Sequence, residues 1–208
     1  MPGLPLQTDA FVLLKRPATD AFQGFQAFSA EHGALLIHQR LARKAAATTV
    51  ALDLFDEVSL RLESPTQGQT WFVVEARLIT RHPGLGRGYE TLRHAAALAT
   101  LVARNTVHED SRASVAQLLR TAFAAFAAGR PPEVVWLKSL YVFARDEGYP
   151  VKQDWLPSLA AARRAEAERL LFAPLAAEAP PAALRAQVVP LVQGLEAYLR
   201  AHSDILLG

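Results

Sequence analysis

The chain contains no cysteine among its 208 residues. That single absence removes disulfides, zinc–thiolate sites, iron–sulfur clusters and cysteine nucleophiles, and it is compatible with a reducing compartment. Long apolar runs are missing too. The alanine-rich stretch from Ser158 to Val189 is interrupted by Arg163, Arg164, Glu166, Glu168, Arg169 and three prolines, so no membrane span is expected. The opening MPGLPLQTDA has neither the basic segment nor the apolar core of a secretory signal, which makes the cytoplasm the expected location. Neither sign of charge dominates: 22 basic against 20 acidic residues leave a net +2, so any charged partner must be read from placement rather than total.

Chemical motifs are equally sparse. The six histidines, His32, His38, His82, His94, His108 and His202, fall at no metal-binding helical spacing. No G-x-S-x-G elbow occurs. The adjacent pairs Glu109-Asp110 and Asp146-Glu147 point in different directions on a helix, so neither is a natural acid–base dyad. Gly84-x-Gly86-x-Gly88 lacks the spacing of a dinucleotide loop and reads as an interdomain linker. The expectation is a protein that is not an enzyme, with no cofactor and no metal.

What is present is a globular composition, 51% apolar and 20% charged, enough for one large domain or two small ones. Up to Thr80 the apolar runs are short and frequently punctuated, which predicts strands. They are Ala10 to Lys15, closed by Pro17; Phe22 to Phe28 and Ala34 to Gln39, joined through a loop in which Gly33 supplies φ > 0; Val50 to Glu63; and Thr70 to Thr80. In the fourth, Leu52 and Leu54 are in phase with Val58, Leu60 and Leu62, but Asp56 occupies the core position between them, which predicts a bulge or bend near Phe55-Asp56-Glu57. Five strands with no room for helices are most economically closed into a small antiparallel barrel, because closure removes the edges.

After the glycine-rich stretch Arg81 to Gly88 the period becomes helical. Leu85, Tyr89, Leu92, Ala96, Ala99 and Ala103 form one stripe. A second helix starts near Asp110 or Ser111, carries Val115, Leu118, Ala122, Phe123 and Phe126, and ends at Gly129; a third runs from Pro131-Pro132 to Gly148 with Leu137, Leu140, Tyr141 and Ala144 on one stripe; others follow Pro157-Ser158 and Pro181. The last carries Leu184, Val188, Leu191, Leu195 and Leu199 in phase, with a break expected at Pro190. The fold class is therefore α+β, with residues 1–82 as a small β-barrel and 83–208 as a helical domain.

The densest positive cluster is Arg40, Arg43 and Lys44, after the third strand. Lys15 and Arg16 end the first strand, Arg77 and Arg81 lie in or after the fifth, and Arg87 follows in the glycine-rich stretch. Cations bordering one barrel face suit phosphates. Phe22, Phe25, Phe28, Trp71 and Phe72 supply the aromatic half of a single-strand-binding signature. Trp71, beside a loop, is the candidate for base stacking. The candidate DNA-binding set is Lys15, Arg16, Arg40, Arg43, Lys44, Trp71 and Arg81.

The layout, with AFVLLKRP, Phe22 to Gly33, the basic stretch and above all Val135 to Pro150 (VWLKSLYVFARDEGYP), resembles the bacterial recombination and repair mediator RecO. The resemblance implies an OB-fold followed by a helical domain, binding of single- and double-stranded DNA, strand annealing, cooperation with RecR and single-stranded-DNA-binding protein, and a cytoplasmic, nucleoid-associated location. It places Arg40, Arg43 and Lys44 in the family's basic region. The chain departs from the family where many members carry a four-cysteine zinc module: Val151 to Trp155 follows instead, so the segment is expected to be held by packing of Trp155. The alternative expectation is a protein–protein adaptor with the same fold and little affinity for DNA.

Overall fold

The computed structural model describes residues 4–41, 50–64, 70–174 and 185–207. The chain is α+β. Strands β1 (Leu4–Lys15), β2 (Phe22–Ser29), β3 (Gly33–Arg40), β4 (Glu57–Ser64) and β5 (Trp71–Thr80) precede helices α1 (Tyr89–Arg104), α2 (Arg112–Ala127), α3 (Pro132–Asp146), α4 (Leu156–Ser158), α5 (Ala161–Phe172) and α6 (Val188–His202). Among the described residues no helix is long and apolar enough to cross a membrane. Two compact units form, Met1–His82 with Val102–Ala116, and Pro83–Leu101 with Gln117–Gly208. The division differs from the expected single cut after residue 82, because Val102–Ala116 belongs with the strands. Two hydrogen bonds tie it there: Gln26 Nε2 donates to the Ala103 carbonyl at 2.6 Å, and Arg112 Nη1 to the Glu31 carbonyl at 3.2 Å.

The strands bond in the order β1-β2-β3-β5-β4, and β4 returns to β1 to close a barrel. Every neighbour is antiparallel except β3 and β5, which run parallel over Ile37↔Trp71 and His38↔Phe72, so the barrel is not antiparallel throughout as expected. β1 pairs with β4 through Leu4 to Phe11 and with β2 through Ala10 to Lys15. A strand serving two neighbours must bend, and a register shift between Val12 and Leu14 provides the bend. The expected start at Ala10 captures only the half of β1 that faces β2. The interior is filled from all five strands, by Val12, Phe25, Ile37, Leu60 and Ala76 among others.

Gly33 takes φ 68° in the β2–β3 turn, as its position predicts, and a side chain there would meet Arg112 Nε at 3.0 Å. The bend expected at Asp56 is present, but Val50 to Asp56, expected in the fourth strand, lies outside β4, and Leu54 is exposed. A turn at Leu54-Phe55, with Phe55 at φ 68°, precedes β4. The Asp56 side chain is 1% exposed and is satisfied completely: it accepts Arg81 Nε at 2.8 Å and Nη2 at 2.5 Å, and the Asp53 amide at 2.9 Å. That hydrogen bonding, with the carboxylate charge behind it, raises the Arg81 pKa above its already high ordinary value. Backbone bonds Val12 N to Asp56 O and Phe55 N to Val12 O stitch the same turn to β1.

The two-pair β3–β5 ladder is extended by neighbouring groups. Gln39 Nε2 donates to the Val50 carbonyl at 2.7 Å and its Oε1 accepts the Leu52 amide at 3.0 Å. Val50 N reaches the Ala76 carbonyl on β5, and Arg81 Nη2 holds the Ala51 carbonyl.

In the helical unit the buried stripes of α2, α3 and α6 follow the expected residues, with Leu184 outside the described ones. α1 follows expectation only in part: Leu85 just ahead of it and Ala99 are buried as expected, but Tyr89, Leu92 and Ala96 are exposed, and Ala95, Leu98, Leu101 and Val102 are buried. With so many alanines the helix has an apolar arc wide enough for more than one face to satisfy the period. Pro190 falls in the first turn of α6, where a missing N–H is tolerated, and the expected break comes just ahead of it, at the turn Ala186–Gln187 between helical Arg185 and Val188. Gly84 lies in a 3₁₀ turn, and a Cβ on it would stand 2.5 Å from the Ala127 carbonyl; it is a close-packing residue of the helical unit, where a linker was expected. Val151–Trp155 forms a π-helical turn held by Trp155, 2% exposed, with its ring 6.2 Å from that of Tyr141. Lys138 of α3 is buried and donates Nζ to the Leu171 and Ala173 carbonyls at the end of α5. Burial draws its pKa below the usual lysine range.

Replacing Arg81 by Ala strands the Asp56 carboxylate in the barrel wall, and a loss of about 2–4 kcal/mol of unfolding free energy is expected. Arg77→Ala breaks the exposed 2.8 Å pairing with Glu75 and is expected to change stability by about 0.5 kcal/mol or less. Urea unfolding of the two variants checks this; equal effects would remove the special role of Arg81.

Candidate nucleic-acid interface

The barrel's outer face at the β2–β3 end is built by register. Phe22 pairs with Arg40 and Gly24 with His38 across the antiparallel ladder, and His38 pairs with Phe72 across the parallel one. Alternation puts Phe22 and Gly24 on the face opposite Phe25, which is in the core. Three rings meet there. Phe22 and Phe72 lie 5.2 Å apart, edge to face, and His38 lies 5.7 Å from Phe72 at a 31° tilt. All three are half-buried.

Gly24 lies beneath two of these side chains: a Cβ on it would stand in ordinary van der Waals contact with Arg16 Cβ, at 3.4 Å, and with His38 Cε1, at 3.5 Å, which sets both side chains against this stretch of β2. Arg16 continues the ladder past β1, its amide bonding the Gly24 carbonyl, while Gln23 Nε2 donates to the Arg16 carbonyl. Arg16 and Arg40 are exposed and form no ion pair with a carboxylate among the described residues. Glu63, opposite Phe72 on β4, is the acidic neighbour on the other flank.

The candidate residues divide. Arg16 and Arg40 come together on the outer face. Lys15 is opposite Phe25, takes the parity of the interior, and stands exposed at the end of its strand. Arg43 and Lys44 lie outside the described residues. Arg81 is engaged by Asp56 and is a structural residue of the barrel wall. Arg77 shares Glu75 with Arg61, at 2.8 and 3.6 Å, in a polar ladder on β4 and β5. Trp71 packs against the interior cluster, and its neighbour Phe72 takes the outward place.

The exchange of Trp71 for Phe72 has a local cause. Strict alternation in β5 would set Phe72, Val74, Ala76 and Leu78 inward and Trp71 outward. A register shift pairs Arg61 with Glu75 but Leu62 with Val73, leaving Val74 as the extra residue and reversing parity beyond it. Trp71 and Val73 therefore face in on one side of the bulge and Ala76 on the other. His38, also missed, had no sequence signal beyond its place opposite Gly24.

No group of three or more His, Asp or Glu side chains able to hold a metal occurs among the described residues. Neither the family models nor the curated proteins compared with the chain give a match.

Trp71→Ala is expected to lower stability by about 2–3 kcal/mol, as a core truncation does, and Phe72→Ala by about 1 kcal/mol or less. Thermal unfolding followed by circular dichroism distinguishes them; the reverse order would put Phe72 in the core and Trp71 on the surface.

Proposed function

We propose that the chain is a DNA-binding recombination and repair mediator similar to RecO, whose barrel is an OB-fold engaging single- and double-stranded DNA through phosphates. The observation that carries the reading is the coincidence of strand order with site position. An OB-fold is a five-stranded Greek-key barrel that binds oligonucleotides on the face of its second and third strands, and Arg16 and Arg40, without a carboxylate partner among the described residues, lie with Phe22, His38 and Phe72 on the corresponding face. Arg43 and Lys44 continue the basic stretch in sequence. Strand annealing, cooperation with RecR and single-stranded-DNA-binding protein, action without cofactor or metal, and nucleoid association in the cytoplasm complete the proposal on the family resemblance.

One feature favours an adaptor instead. Tyr89, 76% exposed, and Leu92, 42% exposed, lie three residues apart on α1, an apolar surface suited to a protein partner.

Anisotropy titration of labelled single-stranded DNA over a salt series tests the DNA reading. Arg16→Glu and Arg40→Glu each remove one cation from the phosphate path, and each is expected to reduce the log–log salt slope by about 0.7. Arg77→Glu is expected to leave it near the parent value. Salt-independent binding, or slopes unmoved by the first two reversals, would reject the site. Absence of DNA binding, together with capture of a protein partner that Tyr89→Ser abolishes, would favour the adaptor.

A further inference from the structure

We infer that His38 makes nucleic-acid binding at this barrel face proton-linked, its imidazolium acting as a third cation beside Arg16 and Arg40 and its neutral ring withdrawing that charge. The linkage rests on the DNA reading and adds to it a regulation that arginines, charged at every physiological pH, cannot supply.

His38 is placed differently from the other histidines. His94 is buried with Nδ1 against the Glu90 carbonyl at 2.7 Å, His202 holds the Tyr198 carbonyl at 2.9 Å, and His32 faces the Glu31 carboxylate at 3.6 Å. His82 lies near the Glu57 and Asp56 carboxylates. His38 has no hydrogen-bond or ion-pair partner among the described residues; its ring contact is with Phe72, at 5.7 Å. It is half-buried on the outer face of β3, so a proton reaches it from solvent.

The surroundings decide what a charge on this ring does. Arg40 follows two residues along the same strand and therefore on the same face. Arg16 borders Gly24, the residue with which His38 pairs. On this face β2 supplies Phe22, Gly24 and Gln26, and β5 supplies Phe72, none of them charged. The carboxylate in register, Glu63 of β4, is one strand further away, beyond Phe72. An imidazolium here thus has no carboxylate partner in the fold, and it adds to the field of two arginines that are likewise without one. A phosphate drawn to those arginines favours the charged ring, and by reciprocity the charged ring favours the phosphate. Affinity is therefore highest at the acid end of about pH 5–8, the range in which an imidazole changes charge, and falls as the pH rises.

Anisotropy titration of a labelled oligothymidylate with the full chain, at about pH 5.5 and about pH 8 and constant ionic strength, tests the linkage. One more phosphate contact steepens the log–log salt slope by about 0.7, so at about 0.1 M salt the parent is expected to bind about fivefold more tightly at the acid pH, with that steeper slope. His38→Gln, polar but unable to take up a proton, should show the parent's alkaline affinity and slope at both pH values. His38→Lys, charged throughout, should show the parent's acid values at both. Equal parent affinity at the two pH values overturns the linkage and leaves phosphate binding standing. So does a pH dependence that survives in His38→Gln, since the titrating group then lies elsewhere. If His38→Gln unfolds, His38→Lys decides: a dependence that persists in it overturns the linkage, and one that vanishes supports it. A parent without affinity at either pH overturns the DNA reading itself.

Discussion

A carboxylate buried in the wall of a β-barrel is tolerated only if every oxygen has a partner. Asp56 meets that condition through the Arg81 fork and the Asp53 amide, and much of the barrel follows from it. Arg81 leaves the end of β5 and reaches back to the segment that crosses from β3 to β4, grasping both Asp56 and the Ala51 carbonyl. That crossing segment then bonds Gln39 on β3 and Ala76 on β5. The parallel junction, where two residue pairs would be a poor closure, is thereby reinforced from the side. The pair acts together with the Phe55 and Asp56 backbone bonds to Val12 and the burial of the Phe55 ring to hold a non-glycine residue at positive φ in the turn at Leu54-Phe55.

The consequence for the outer face is a fixed register between β3 and β5. β3 and β5 bring His38 and Phe72 together only because they are held in parallel register at that one point. The hydrogen bonds of Gln39 to the crossing segment keep β3 in place there. A face built on strands carries its side chains at fixed spacing, whereas one built on the connecting loops would have to order them on binding. The charge pattern on the barrel follows a similar division. Arg61 and Arg77 are committed to Glu75, and Arg81 to Asp56, so the cations left to attract an anion on this face, among the described residues, are Arg16 and Arg40.

The helical unit uses different devices for the same purpose. Lys138 satisfies carbonyls at the end of α5, where a helix leaves them unpaired, and Gly84 permits an approach to the end of α2 that a side chain would forbid. A π-helical turn, Val151–Trp155, is anchored by the burial of Trp155 beside Tyr141.

Much of this was legible in the residues themselves. The five strands, the positive φ of Gly33, the bend at Asp56 and the stops at Gly129 and Gly148 follow from local steric and hydrogen-bonding rules that act over a few residues, and the buried stripes of α2, α3 and α6 follow from periodicity. The face each aromatic takes did not follow. A bulge at Val74 reverses the alternation of β5 and sends Phe72 outward in place of Trp71. Likewise Arg81 is one more arginine in the sequence, and becomes a structural one only because a carboxylate 25 residues earlier is buried beside it. By itself the sequence determined which elements form and what charges they carry, since those depend on near neighbours. Tertiary structure alone decided which of those charges are spent inside the fold and which rings stay on its outer face, because pairing and parity depend on residues far away along the chain.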